Sequence, residues 1–344
     1  MKIIMPTFVT WNLTQQCNLS CSYCCGTLPG RELSYNEKLK VIHTLSDYNL
    51  TDIGISGGEP FILKNIINIL KILDDHNMSI GINTNGIYLT EEIQKKLAKL
   101  DNIDHIYITL DGWEKDIHEK YRGKNTFKTI ISNARKLSEY NIPFSIIHTV
   151  TPDTKDRLSN MARLCYEIGA RTLIFNGVLP IGKGKEVKGQ ILNPSETFEV
   201  LKTAFSLYKE YYPELRITSS YPFSFLASPK KLVPLVRKIR KHQEMTRYCG
   251  IGFTRLFISP SGVITPCTFI HKKIGHILKD NLEDLWNSEK MEKYRNYVLN
   301  PKGKCSKCVY KDICGGCRAA ALHIGGKIDG EDPRCPLEEV EHNV

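Results

Sequence analysis

Cys17, Cys21 and Cys24 are separated by three and then two residues, directly after a β-like run from Phe8 to Leu13. Three thiolates on one loop can hold three irons of a cubane cluster and leave the fourth iron open, the mark of a catalytic rather than a closed structural centre. The competing chemistry is zinc, which would need Cys25 as its fourth ligand. A second group lies near the other end: Cys249, Cys267, Cys305, Cys308, Cys314, Cys317 and Cys335. Only five residues part Cys308 from Cys314, fewer than a zinc ribbon needs between its pairs. Cys165 stands apart, in the apolar helical stretch Met161 to Ile168, and reads as a small buried hydrophobe.

The elements that must position these groups alternate. β-like runs at Phe8–Leu13, Ile53–Ser56, Ile80–Thr84, Ile106–Leu110, Phe144–Val150 and Thr172–Val178 are separated by amphipathic stretches. Ile66, Ile69, Leu70 and Leu73 in one, and Ile93, Leu97 and Leu100 in another, recur at helical spacing. The order βαβα predicts an α/β fold with a parallel sheet covered by helices. Active groups in such sheets collect at the carboxyl ends of the strands. Those ends carry Thr14 onward, Gly57-Gly58-Glu59-Pro60, Asn85-Gly86, Asp111-Gly112 and Leu179-Pro180. The paired glycines would let the backbone approach a ligand closely. After about residue 190 the alternation fades through Pro194, Pro213, Pro222, Pro229 and Pro234, which reads as a helical connector over 191–245.

With 41% hydrophobic and 24% charged residues, the 344-residue chain has the composition of a folded globular protein with a substantial core. Neither a signal peptide nor an apolar stretch of membrane-spanning length is evident, so the expectation is a cytoplasmic protein without a membrane partner. In a reducing compartment, clustered cysteines bind metal or do chemistry rather than form disulfides. The net charge of +10 concentrates at Lys183 to Lys188 and at Lys230, Lys231, Arg237, Lys238, Arg240 and Lys241. These runs read first as solvated faces and second as attraction for an acidic partner. Nothing favours nucleic acid.

The spacing of Cys17, Cys21 and Cys24, with Gly57-Gly58-Glu59 at the next strand end, resembles the radical S-adenosylmethionine superfamily. The resemblance implies an incomplete (β/α)6 TIM-like barrel over 5–190. It also implies an enzyme whose 4Fe-4S cluster, held by the three cysteines, cleaves S-adenosylmethionine reductively to a 5′-deoxyadenosyl radical. In that family the Gly57-Gly58-Glu59 segment would contact the methionyl amino group, and Tyr23 resembles the adenine-contacting aromatic. Thr109-Leu110-Asp111-Gly112 with His118 and Arg122 looks like the segment that places Thr109 at the ribose and Arg122 at the carboxylate. A flavodoxin- or ferredoxin-type electron donor is implied.

Residues 246–344 are similar to the SPASM domain, which carries auxiliary iron–sulfur clusters. Carried over, Cys305, Cys308, Cys314 and Cys335 form one complete set. Cys249, Cys267 and Cys317 form an incomplete one, which His271 or His323 could complete. The pattern departs from the domain in the two-residue gap between Cys314 and Cys317, in having seven cysteines rather than eight, and in Thr268, where sulfatase-maturing relatives carry an aspartate base. The stretch from Cys314 to Ala321, the Gly330-Glu331-Asp332-Pro333-Arg334-Cys335 ending and Trp11-Asn12-Leu13-Thr14 resemble a subgroup of peptide-maturing and tetrapyrrole-modifying enzymes. Peptide maturation by crosslinking, oxidation or decarboxylation is the favoured reading. The barrel begins almost at residue 1, so a peptide substrate would call for a separate leader-recognition protein or none. The alternatives are modification of a tetrapyrrole side chain and, from another class, a non-enzymatic electron carrier or iron sensor. Cys25 could serve as a hydrogen-atom donor.

Overall fold

The structure is a computed structural model that describes residues 5–229, 232–242 and 249–338. Its strands are β1 (Phe8–Asn12), β2 (Asp52–Ser56), β3 (Ser79–Thr84), β4 (Ile103–Thr109), β5 (Phe144–Val150), β6 (Thr172–Gly177), β7 (Arg216–Ser219), β8 (Arg255–Ile258), β9 (Val263–Thr265) and β10 (Gly275–His276). They form one sheet in the order β10-β9-β8-β1-β2-β3-β4-β5-β6-β7. Pairing is parallel from β8 through β1 to β7. It is antiparallel between β8, β9 and β10. The architecture is a partial TIM-like barrel whose strands β1 to β6 coincide with the six alternating runs.

Two features of the sheet differ from the sequence reading. The 191–245 stretch is not wholly helical, because it contributes β7. Pro194 begins the helix Pro194–Tyr211 instead of breaking one, behind an Asn193 cap that accepts from the Glu196 N–H. Proline suits that first position because its missing N–H would have no helical partner. The sheet also does not end with the barrel, since β8 pairs with β1 and the C-terminal region continues the same layer.

The outer face of the sheet packs on the amphipathic helices. Ile66, Ile69, Leu70 and Leu73 of the helix Ile66–Asp75 are buried against the core that Ile53, Ile55, Ile80 and Ile82 share. The inner face is different. Along β3 the buried residues Ile80, Ile82 and Thr84 alternate with half-exposed Ser79, Gly81 and Asn83. A parallel sheet covered on both faces would read as continuously apolar. Along β3 one face is instead polar and half-exposed.

Candidate active site

The loop after β1 carries the first cysteines: Cys17 and Cys24 are exposed and Cys21 is buried. Burial raises the Cys17 and Cys21 thiols, and each is raised further by the neighbouring thiols of the set, which places the three together. The loop is held from two sides. Gly58 N–H donates to Thr14 O at 2.7 Å and Glu59 N–H to Gln16 O at 2.8 Å. A Cβ on Gly57 would stand 2.6 Å from Thr14 O, and one on Gly58 would stand 2.0 Å from Gln16 O. The glycine pair is therefore required by the cysteine loop itself, whose backbone it meets at close approach. From the other side, Lys183 N–H donates to Cys24 O at 3.0 Å, and Lys183 Nζ is bonded to Ser20 Oγ. Lys183, Lys185 and Lys188 are exposed there.

Glu59 is fully buried and ties the strand ends together. Its carboxylate accepts from Thr84 Oγ1 at 2.8 Å, Asn85 N at 2.8 Å and Phe61 N at 3.1 Å. Burial still leaves its carboxyl above the usual range. Asn85 Nδ2 donates to Asn18 Oδ1 at 2.8 Å, linking the end of β3 to the cysteine loop. Sequence reasoning placed Asn85 at a strand end without a role.

Arg122, expected at a ligand carboxylate, is enclosed in an ion pair with Asp111. Burial acts to raise Asp111, but Arg122, His148 and the Thr149 N–H together hold it below the usual carboxylate range. Arg122 Nη1 lies 3.6 Å from Cys21 Sγ, and its guanidinium stands 5.8 Å from the centre of the Tyr23 ring. With Nε committed to Asp111, the remaining donors of the fork face the loop. Tyr23 packs on Tyr121 at 5.3 Å between centroids. Thr109 ends β4, half-buried and paired in register with Ile147. His118 Nδ1 accepts from the Asp111 N–H at 3.1 Å, and burial lowers this imidazole to about 4. His148, which the sequence did not single out, is buried with Nδ1 at 3.1 Å from Leu110 O. Both histidines keep a buried Nε2 with no partner among the described residues.

The C-terminal thiols fall into two groups by their mutual influence. Cys314 and Cys335 are raised by burial and then by Cys305 and Cys308. Burial first, with Cys317 adding to it, pushes Cys249 to about 11 and Cys267 to about 12. His271 and His323 turn Nε2 to carbonyls of the adjoining loop, at 2.9 Å from Thr268 O and 2.8 Å from Phe269 O. An imidazole that donates from Nε2 keeps its lone pair on Nδ1.

A shared local geometry fits these sulfurs to iron–sulfur ligation. The N–H two residues on points at the sulfur of Cys17, Cys24, Cys267, Cys308 and Cys314, each at 3.4 Å. Ile251 and Leu337 make the same contact to Cys249 and Cys335. Such donors stabilise sulfur that carries negative charge and tune cluster potential. Cys165 is buried and inert, raised by burial alone. Burial pushes the Cys25 thiol to about 12. Among the described residues no three His, Cys, Asp or Glu side chains converge as ligands of a single ion would. Ligands that each take a different iron of a cluster need not converge. No helix among the described residues is long and apolar enough to cross a membrane.

Comparison with known proteins agrees with this geometry. Residues 11–165 match the radical SAM superfamily, and residues 249–317 match the SPASM iron–sulfur cluster-binding domain. The mycofactocin maturase MftC of Mycolicibacterium smegmatis is 31% identical over 96% of this chain and 82% of its own length. The AdoMet-dependent heme synthase of Methanosarcina barkeri is 28% identical over 96% of each chain. Streptococcus suis SuiB bound to S-adenosylmethionine has a TM-score of 0.79 at 17% identity, covering 96% of this chain and 77% of that one. The anSMEcpe structure with bound AdoMet has a TM-score of 0.75 at 20% identity, covering 98% and 95%. These two structures share the fold. With the cysteine loop braced by Gly57 to Glu59 and the C-terminal thiols in two groups, the chain belongs to the radical SAM superfamily, as an enzyme with a C-terminal SPASM domain that uses S-adenosylmethionine and 4Fe-4S iron–sulfur chemistry.

Proposed function

We propose that this enzyme modifies a peptide after translation, by crosslinking, oxidation or decarboxylation of a side chain or terminus. The observation that carries the reading is the 31% identity, along nearly the whole chain, to a protein named as a mycofactocin maturase. When bound, the cluster and S-adenosylmethionine supply a 5′-deoxyadenosyl radical that takes a hydrogen atom from an unreactive carbon. The protein's own residues do the positioning. Cys17, Cys21 and Cys24 hold the catalytic cluster. Gly57, Gly58 and Glu59 carry the methionyl amino group, with Glu59 acting through the strand ends it ties together. Tyr23 faces the adenine, Thr109 the ribose, and the Arg122 donors left free by Asp111 the carboxylate. Cys249, Cys267 and Cys317 hold one auxiliary cluster, and Cys305, Cys308, Cys314 and Cys335 the other. In domain terms these roles fall to a barrel over 5–190, a connector over 191–245 and an auxiliary domain over 246–344. Electrons come from a flavodoxin- or ferredoxin-type donor in the cytoplasm.

A second reading, modification of a tetrapyrrole side chain, is favoured by the 28% identity to a heme synthase over 96% of both chains. Both substrates can be anionic, and the exposed Lys183, Lys185 and Lys188 beside the cysteine loop would attract either. Of the second basic run, Lys230 and Lys231 and the side chains of Arg240 and Lys241 lie outside the described residues. Arg237 is already committed, pairing with Asp312 at 2.7 Å. The deciding experiment is an anaerobic turnover with S-adenosylmethionine and dithionite, offering short peptides encoded beside the gene and, separately, a propionate-bearing iron porphyrin. A mass change in a peptide, with matching 5′-deoxyadenosine, supports the first reading; a change in the porphyrin alone replaces it with the second. Affinity for the true substrate should fall as the Debye length shrinks from about 10 Å to about 3 Å.

A further inference from the structure

Arg318 follows Cys317 and is 1% exposed. Its Nη1 donates to Ile328 O at 3.0 Å and Gly330 O at 2.7 Å, its Nη2 to Gly315 O at 2.5 Å, and its buried Nε has no partner among the described residues. Among the described residues no carboxylate pairs with this guanidinium. Other enclosed arginines are paired: Arg122 with Asp111, Arg334 with Asp332 and Arg295 with Glu292. Asp332, which lies against the same glycine turn, is already saturated. It accepts from Arg334 Nε and Nη2, each at 3.0 Å, and from the Cys317 N–H at 3.1 Å. A buried cation satisfied only by carbonyls is costly, and partners of that kind leave its charge uncompensated.

The anionic group that would compensate it has a place beside it. Arg318 stands between Cys317 and Ala319, and Cys249, Cys267 and Cys317 all pack on the apolar cluster that contains Ala319; in keeping with that placement, the Arg318 charge acts to lower the Cys249 thiol against the larger effect of burial. Cys249, Cys267 and Cys317 stand together, and an iron–sulfur cluster on thiolates is an anion. We propose that Arg318 is the counter-charge of an iron–sulfur cluster held by Cys249, Cys267 and Cys317, and that its fixed positive charge raises that cluster's reduction potential. The redox step is the uptake of one electron by the oxidised cluster, from dithionite in the test, with no bond or proton transferred. That step adds a negative charge, which a nearby fixed cation favours. Arg334 also acts on Cys317, but its charge is already matched by the Asp332 carboxylate. Arg318 acts on the reaction through the cluster and is a positioning residue in that sense.

The inference rests on the ligation proposed above, and the two can fail separately. In a background with Cys17, Cys21 and Cys24 replaced by alanine, the cluster signal that Cys267→Ala abolishes belongs to the set in question. If Cys267→Ala removes no iron and no signal, the ligation is wrong and the proposal falls with it, before Arg318 is touched. If the signal is present, an EPR-monitored titration of Arg318→Gln and Arg318→Lys follows, with iron counted in each. The expected result is at least a tenfold fall in the one-electron reduction equilibrium for Arg318→Gln, about 59 mV, with Arg318→Lys within threefold of the parent. Loss of the cluster in Arg318→Gln but not in Arg318→Lys also supports a charge requirement. An unchanged potential in Arg318→Gln, an equal fall in both variants, or loss of the cluster in both would overturn the proposal.

Discussion

The two cysteine neighbourhoods each enclose an arginine against thiols, and they balance its charge differently. Behind the first loop, Arg122 is neutralised by Asp111 before any cofactor binds. Beside Cys249 and Cys317, Arg318 has only carbonyls. The first neighbourhood is also open, with Cys17 and Cys24 exposed, whereas Cys249, Cys267 and Cys317 are partly covered. The contrast teaches how one chain can serve two kinds of centre. A site that must admit a cofactor and a substrate is self-neutral and accessible. A site that holds a resident cluster can depend on that cluster for charge balance.

The largest effect that tests the contrast is loss of the carboxylate that makes the first site self-neutral. Asp111→Asn leaves Arg122 enclosed without a partner and should cost about 3–5 kcal/mol of unfolding free energy, read by denaturant titration. A loss under about 1 kcal/mol would show that Arg122 is not balanced as described.

A smaller effect concerns the brace on the same loop. Gly58→Ala drives a Cβ into Gln16 O and should cost about 1–3 kcal/mol through overpacking, together with impaired S-adenosylmethionine binding. Gly189→Ala, where the added carbon meets nothing within 4 Å, should stay within about 0.5 kcal/mol. Equal stability of the two variants would contradict the close approach.

The smallest effect sharpens the description of the barrel side. Burial lowers His118 from 6.5 to about 4, against the pull of Asp111, so the folded protein holds it neutral while the unfolded chain protonates it below 6.5. Its contribution is therefore complete above pH 6.5 and is lost as pH falls toward 4, with a slope of at most about 1.4 kcal/mol per pH unit. His118→Gln should flatten that slope between pH 6.5 and 4.5 in urea unfolding. An unchanged slope would mean that His118 takes up its proton without unfolding.

The six strands from Phe8 to Gly177 were legible because β-like runs and amphipathic helices alternate and each helix returns the chain to the next strand. β7 was not, because four residues following the Tyr212-Pro213-Glu214 turn offer too short an alternation to separate from a connector. The joining of β8 to β1 is a pairing across more than two hundred residues that no local pattern records. The site divides the same way. Cysteine spacing showed which sulfurs could work together, and the Gly57-Gly58 pair showed that something passes close by. What passes, the backbone of Thr14 to Gln16, is a tertiary fact. Arg318 and Asp332 were visible as charged residues among the cysteines, but their burial, and the fact that only Arg334 has its acid, depends on how the 314–335 segment closes on itself.

The division of labour between the two neighbourhoods is tested most directly by two triple alanine variants, one of Cys17, Cys21 and Cys24 and one of Cys249, Cys267 and Cys317. Each is assayed anaerobically for iron and for 5′-deoxyadenosine formed with dithionite. Each should lose about four irons, one cubane's worth. The first should form no 5′-deoxyadenosine, and the second should still form it from S-adenosylmethionine while failing to complete product. Continued cleavage by the first variant, or cleavage lost by the second while its other clusters remain loaded, would contradict the assignment.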